Sequence, residues 1–489
     1  MKSVARVGLQ GVVAGVFLLL SVAASGQSAQ APSGAAPAPT LMFADYLEQV
    51  QSQNREALSL QQDVLKATLR LEEAEVPLSP ELYANYSLFD DRDEATNSFS
   101  PFRKQGDSWR LGVRDLNRWG TKTDVFVESQ RFDLTVPNPQ LIPLRDYADV
   151  KAGVQLTQPL WRNGFGGATR AEMEAQRAIS RLELLRSRFD LKNLILKAQN
   201  TYWSLVSLGQ VVKLQEENVE RARKLRDWMS SRARLRLVDD VDALQAQASL
   251  EQRELELQSS RDEWATMARQ FNTLRGVYHD RIEPLPDLPP GEILLTEAKD
   301  SRVQMTREDF RMIYERAMAN ASRARAARLN LGPQLDLVGG ITTNGLDAET
   351  ARAYDEVQGL EHPSWQVGVV FSVPLDYSLI GNMKQSYEAA ARAAEHAREH
   401  ARFAEQRAWE DLLAQKAEAQ RRFSKALSLE NTQTSLVRKE RQRLLNGRTT
   451  TFQAITFEQN LATAQIARVR AQLALLQVHN VLKQFEVQE

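Results

Sequence analysis

Two hydrophobic rhythms alternate along the chain. The first is helical. After Gly167, apolar residues step by three and four through Leu191, Leu194, Ala198, Leu205, Leu208, Val212 and Val219. Leu250, Leu257, Trp264, Phe271 and Tyr278 then recur every seventh residue. Later come Phe457, Leu461, Ala464, Arg468, Ala471, Leu475, Val478, Leu482 and Phe485, where only Arg468 breaks the apolar run, and a small-residue series Ala394, Ala397, Ala401, Ala404, Ala408. Sustained three-four alternation marks a coiled-coil seam. Two pairs of helices of about 65 residues each are expected, and at 1.5 Å per residue each would span about 100 Å. Helices that long need neighbours along their whole length.

The second rhythm has period two. Leu82, Ala84, Tyr86 and Leu88 alternate with Tyr83, Asn85 and Ser87, and Ala152, Val154 and Leu156 with Gly153, Gln155 and Thr157. Leu335, Leu337 and Ile341 alternate with Asp336, Gly340 and Thr342, and Trp365, Val367, Val369, Phe371 and Val373 with Gln366, Gly368, Val370 and Ser372. Strands are therefore expected at about 82–89, 148–160, 335–343 and 364–374. Segments of this length, apolar on one face, suit either a soluble sheet with one wet face or tilted membrane-spanning strands. Ser108–Leu116 and Thr121–Phe132, joined by Asn-Arg-Trp-Gly, could add a hairpin or form an outer loop; the simpler count of four strands is kept. Val136–Pro143 and Asn344–His362 are expected as exposed loops.

The layout occurs twice: a helix, strands, then a long helical hairpin. Pro159 and Pro374 each close a strand, and the stretch from Asp242 aligns without gaps to that from Gln453, placing Leu250 on Leu461. The first repeat runs 41–282, with its hairpin at 167–275 and turn near 236–242. The second runs 306–489, with its hairpin at 381–486 and turn near 446–452. Between them, residues 283–305 begin with four prolines and a glycine in Glu283–Glu292, which cannot continue a helix, and read as a connector. Residues 1–26 have the layout of a signal peptide: Lys2 and Arg6, an apolar stretch to Leu20, then small residues. Residues 27–40, rich in Ala and Pro, read as a disordered linker.

With 62 basic and 63 acidic residues the chain has a formal charge of -1, which gives no reason to expect nucleic acid as a partner. It has no cysteine, which excludes disulfides, thiolate metal sites and a cysteine nucleophile. His396 and His400 lack the zincin order, Gly-Phe-Gly-Gly-Ala-Thr lacks the lysine of a phosphate loop, and no Gly-x-Ser-x-Gly elbow occurs. No catalytic, cofactor or metal site is expected, and the chain is not read as an enzyme. If it enters a membrane it must do so through β-strands, and four strands cannot close a barrel alone. Trp161 and Trp365 would then suit the lipid-water boundary.

In this order and spacing, several stretches resemble the TolC-type outer-membrane efflux protein family: Leu156–Gly167 and Phe371–Gly381 as strand-to-helix passages, Gly332–Gly345 as a strand beginning, Asp242–Leu250 as the start of a returning helix, and Leu444–Gln465 as a helical turn. The resemblance covers about Leu41–Phe485. It implies a mainly α fold with a transmembrane β part: a trimer whose twelve pooled strands form a β-barrel continued by a long α-helical coiled-coil barrel. It implies an outer-membrane location in a Gram-negative bacterium, extending into the periplasm, and passive passage of substrate in a tripartite efflux pump or type I secretion system. The implied partners are a periplasmic adaptor, an inner-membrane pump of RND or ABC type, and outer-membrane lipid. The passages would use Pro159, Gly164, Gly166, Gly167, Pro374 and Gly381. The hairpin tips that meet the adaptor would be Arg236, Leu237, Val238, Asp239 and Asp240 in the first repeat and Gly447, Arg448, Thr449 and Thr450 in the second. Where the family can carry constricting carboxylates this chain has Gln453 and Thr456, leaving Glu458 as the nearby acidic candidate. Arg236 replaces an expected glycine, so a differently shaped first tip is expected. The competing reading is a periplasmic coiled-coil adaptor or scaffold, against which two hairpins, each preceded by strands, argue.

Overall fold

The computed structural model describes residues 40–92, 100–136, 140, 144–290 and 307–483. The expected signal, the linker up to residue 39, most of the Val136–Pro143 loop and connector residues 291–305 lie outside that set. Helices α1 (Phe43–Gln53) and α2 (Arg55–Leu69) come first, followed by a 3-10 segment, Arg70–Leu78. Strands β1 (Glu81–Asp91), β2 (Arg103–Leu116), β3 (Lys122–Thr135) and β4 (Asp146–Pro159) lead to helices α3 (Gly167–Arg234) and α4 (Asp240–Leu274). The second half runs α5 (Glu308–Asn330), β5 (Gln334–Asp347), a short α6 (Thr350–Gly359), β6 (Pro363–Ser372), α7 (Tyr377–Leu445) and α8 (Thr451–Leu482).

The two outgoing helices, α3 with 68 residues and α7 with 69, reach about 100 Å. The figure of about 65 residues fits these two only; the returning helices are half as long, α4 with 35 residues and α8 with 32. Heptad positions in Leu250–Phe271 carry the return only as far as Leu274, where Gly276 turns left-handed (φ 74°) and ends it. Helix α5 takes over on the far stretch of α3, held by Lys192–Glu308 and by Arg181–Glu315 at 3.4 Å. Each hairpin's long arm is thus flanked by shorter helices.

At mid-length the bundle has its densest core. Tyr46 stacks on Phe271 with ring centroids 4.2 Å apart, and Tyr202 donates to the Leu41 carbonyl at 3.0 Å. Leu205, Ala198, Phe423, Val469 and Leu475 complete this core. Asn54 accepts from Ala57 N at 3.0 Å and donates to the Leu274 carbonyl at 2.6 Å, so one side chain caps α2 and ties it to the end of α4. Arg468, the break in the apolar pattern, bonds Glu430 of α7 at 2.5 Å, which makes it a cross-helix pair rather than a flaw in the seam.

All six strands form one antiparallel sheet in the order β1-β2-β3-β4-β5-β6. The expected four strands per chain are therefore corrected to six. The segment left open in the sequence is a hairpin, β2–β3, inserted between β1 and β4. Its turn is set by Asn117, whose side chain accepts from the Trp119 and Thr121 amides, and by Gly120 at φ 73°. Asn344–His362 is also not simply a loop: β5 continues to Asp347, and α6 packs Ala353 and Val357 on Ala148 and Val150.

Candidate functional site: the sheet wall and the hairpin tips

The alternation of β1 to β6 resolves into two different faces. Through the register, Leu82 lies beside Val113, then Val125, Val154, Ile341 and Trp365, one row crossing all six strands. These six side chains are 40% to 78% exposed, with no protein covering them. Leu111, Leu156, Val367, Val369 and Phe371 extend this face and are exposed as well. An exposed apolar area this continuous is unusual on a monomeric soluble protein. On the opposite face Arg110 pairs with Asp124 at 3.1 Å and Glu128 at 3.4 Å, and Tyr83 donates to Asp124 at 2.8 Å. Gln155, Gly340 and Gln366 continue the Asp124 row across that face.

The first strand-to-helix passage is built as a tight crossing. Pro159 ends β4, and the amide of Leu160 donates to the Leu335 carbonyl at 2.8 Å. Asn163, Phe165 and Gly166 all take positive φ. A Cβ on Gly166 would lie 2.2 Å from the Arg118 carbonyl oxygen, so glycine is required by approach as well as by conformation. Gly164 opens the 3-10 turn and Gly167 starts α3, where the Asn163 side chain accepts from Thr169 N at 2.9 Å. The second passage is different. Pro374 follows β6, Asp376 caps α7 by accepting from Leu379 N at 2.8 Å, and Gly381 lies inside the helix with open space around it. The second passage thus turns at Pro374 and Asp376, with Gly381 one turn into α7.

The two tips share one geometry, contrary to the expectation for Arg236. Arg236 at φ 56° and Gly447 at φ 65° take the same left-handed position. In each, the following amide reaches back to close the helix: Leu237 N to Arg232 O and Arg448 N to Arg443 O, both 2.9 Å. Arg236, Leu237, Asp239 and Asp240 are exposed, as are Gly447 and Arg448. Thr450 caps α8 by accepting from Gln453 N at 3.3 Å, and Thr449 donates to Glu440. Val238 turns inward, onto a cluster of Met229, Ala246, Leu444 and Ala454 that brings all four hairpin helices together.

Of the three constriction candidates, Gln453 is exposed beside the tip, and Thr456 bonds the Phe452 carbonyl one turn back at 2.8 Å. Glu458 is only 22% exposed and holds two cations at once: Arg441 of α7 at 2.5 Å and Arg221 of α3 at 3.3 Å. It links the two hairpins directly above the Met229 cluster, beside a cleft of about 330 Å³ lined by Arg221, Leu225, Trp228, Arg253, Leu444 and Ile455. Arg221 and Met229 were not singled out in the sequence, and no spacing rule marks them, because their partners lie in the other repeat. The β2–β3 wall did carry a signal, its alternation on either side of Asn-Arg-Trp-Gly. Among the described residues no helix is long and apolar enough to cross a membrane.

No family model matches the chain, and no curated protein matches its sequence. Solved structures do. The outer membrane protein VceC of Vibrio cholerae superposes with a TM-score of 0.66 at 15% identity, over 90% of this chain and 94% of that one. The outer-membrane channel OprN gives 0.64 at 16% identity, over 90% and 88%. The open state of the Neisseria gonorrhoeae MtrE outer membrane channel gives 0.59 at 14% identity, over 90% and 87%. The chain therefore has the fold of TolC-type outer-membrane channels.

Proposed function

We propose that this protein is the outer-membrane exit duct of a tripartite efflux pump or type I secretion system, a homotrimer that spans the outer membrane of a Gram-negative bacterium and extends into the periplasm. The observation that carries this reading is the exposed apolar row from Leu82 to Trp365, backed by a largely polar face on the same sheet. In hydrocarbon that row would face lipid and the Arg110–Asp124 face would line water. Exposed Leu244, Leu255, Phe403 and Leu429 on the long helices would be covered by neighbouring copies in a helical tunnel. The tips would meet a periplasmic adaptor, with an inner-membrane pump of RND or ABC type supplying energy. The duct itself would perform no chemistry and hold no cofactor. Gln453, Thr456 and Glu458 would narrow the inner end, Glu458 as a latch between hairpins.

The test is membrane fractionation followed by planar-bilayer recording. A detergent-requiring trimer that conducts ions supports the duct. A protein that extracts with the soluble periplasm as a monomer and gives no conductance would instead support the adaptor or scaffold reading.

A further inference from the structure

We propose that three copies of this chain close one eighteen-stranded barrel, β6 of each pairing with β1 of the next. This rests on the channel reading above and adds the size of its membrane end. The inserted hairpin is integral to the wall. β2 pairs along its length with β1 and β3, and β3 with β4. Its turn is tied to the first passage by Thr121 donating to Gln158 at 2.6 Å and by Arg170 donating to the Arg118 carbonyl at 3.1 Å.

The sheet's two free edges belong to β1 and β6, and every residue of β6 is exposed on both faces. With an even number of strands these edges run in opposite directions, so a second copy of the chain extends the same antiparallel pattern. In hydrocarbon neither edge can stay unpaired.

The apolar face also carries the tilt of the wall. From the row joining Leu82 to Trp365, the outward apolar run on β1 climbs away from the helices to Leu88, while on β6 it descends toward them to Phe371. The centres of the two runs differ by six residues across five strand-to-strand steps. At about 3.4 Å per residue and about 4.8 Å per step, the band slopes by about 40°. That is the tilt of strands in outer-membrane barrels, about 35–45°. A level membrane band therefore requires the strands to lean as barrel strands do. Eighteen strands at that tilt give a backbone diameter of about 36 Å, against about 24 Å for twelve. Continuing the slope, with outward residues facing outward, sets Tyr86 of one copy opposite Val367 or Val369 of the next.

The natural chain has no cysteine, so a designed pair is unambiguous. Tyr86→Cys combined with Val367→Cys, and Tyr86→Cys with Val369→Cys, are oxidised in isolated outer membranes. In one of the two registers the expected product is a covalent ladder ending at three chains, absent from each single variant. In parallel, Val125→Cys should resist a membrane-impermeant maleimide and Gln130→Cys should react, because the first faces lipid and the second the lumen. A ladder ending at two chains would mean twelve strands and overturn the proposal. So would the absence of cross-links in both registers, or full labelling of Val125→Cys, in protein that still conducts in a bilayer. Those outcomes leave the duct reading standing, whereas loss of conductance and membrane association in the unmodified protein would remove that reading itself.

Discussion

The two halves of the chain match closely at one end and differ sharply at the other. Their long helices have 68 and 69 residues, and their tips close with the same left-handed residue and the same 2.9 Å backbone bond. Their contributions to the sheet are four strands against two, the second half carrying α6 instead of a hairpin. The constraint differs in kind. Helices packed side by side and meeting in the cluster of Met229, Ala246, Leu444 and Ala454 must end at one level, so their lengths are coupled. A sheet accepts an antiparallel hairpin anywhere along it, because two added strands restore the original direction. Length is thus fixed among the long helices, while strand number is free in the sheet.

The largest effect is expected where both halves share one core. Leu205→Ala on α3 and Phe423→Ala on α7 each remove a buried side chain from the same cluster. Each should lose about 3–5 kcal/mol of stability, measured by denaturant unfolding in detergent. A loss confined to one variant would show that the two long helices do not depend on a common core.

Next comes the link between halves at the inner end. Glu458→Ala leaves Arg221 and Arg441 without their shared carboxylate, a penalty of about 1–3 kcal/mol at a largely buried site. The expected readout is a several-fold rise in bilayer conductance, with Arg221→Ser giving the same change. Unaltered conductance in both variants would show that Glu458 does not hold the end closed.

The tips offer a reciprocal test. Arg236→Gly relieves a left-handed arginine and should stabilise by about 1 kcal/mol, while Gly447→Arg should destabilise by about as much. If both variants shift in one direction, the matched tip geometry is not what sets their stability.

Much of the helical part was legible in the sequence, because a seam repeats over many turns and each repeat reinforces the last. The heptad alone overruns the end of α4: Phe271 and Tyr278 both keep it, yet Gly276 stops the helix between them. In the wall, alternation identified β1, β4, β5 and β6, but β2 and β3 mix charges such as Arg110, Asp124 and Glu128 into the pattern, and these pair across strands in a way no single strand reveals. Arg236 misled for a related reason. Residue preference argued against a left-handed turn, and the backbone bond from Leu237 to Arg232 outweighs it. Glu458 was found near the inner end, but its partners lie on α3 and α7, brought together only by the bundle.

The smallest effect concerns a single pair of matched positions. Counted back from the two left-handed tip residues, Glu405 on α7 stands where Leu194 stands on α3, and both are only 5% exposed. Burial raises the Glu405 carboxyl above its ordinary value near 4.5, with the Asp309 charge adding to the rise and Arg307 opposing it. The folded protein therefore holds this proton to higher pH than the unfolded chain does. Below about 4.5 both states are protonated and the group has no effect; from there up to the raised value the unfolded chain ionises while the folded state keeps its proton, so stability falls across that window and is level above it. Glu405→Gln removes that penalty. Its stability relative to the natural chain should be about nil at the acid end, grow as pH rises above the ordinary value, and level off once pH passes the raised one, measured as the denaturation midpoint across a pH series. A constant difference at every pH would mean that the carboxyl titrates alike in the folded and unfolded states and that the seam of α7 tolerates the charge which α3 replaces by leucine.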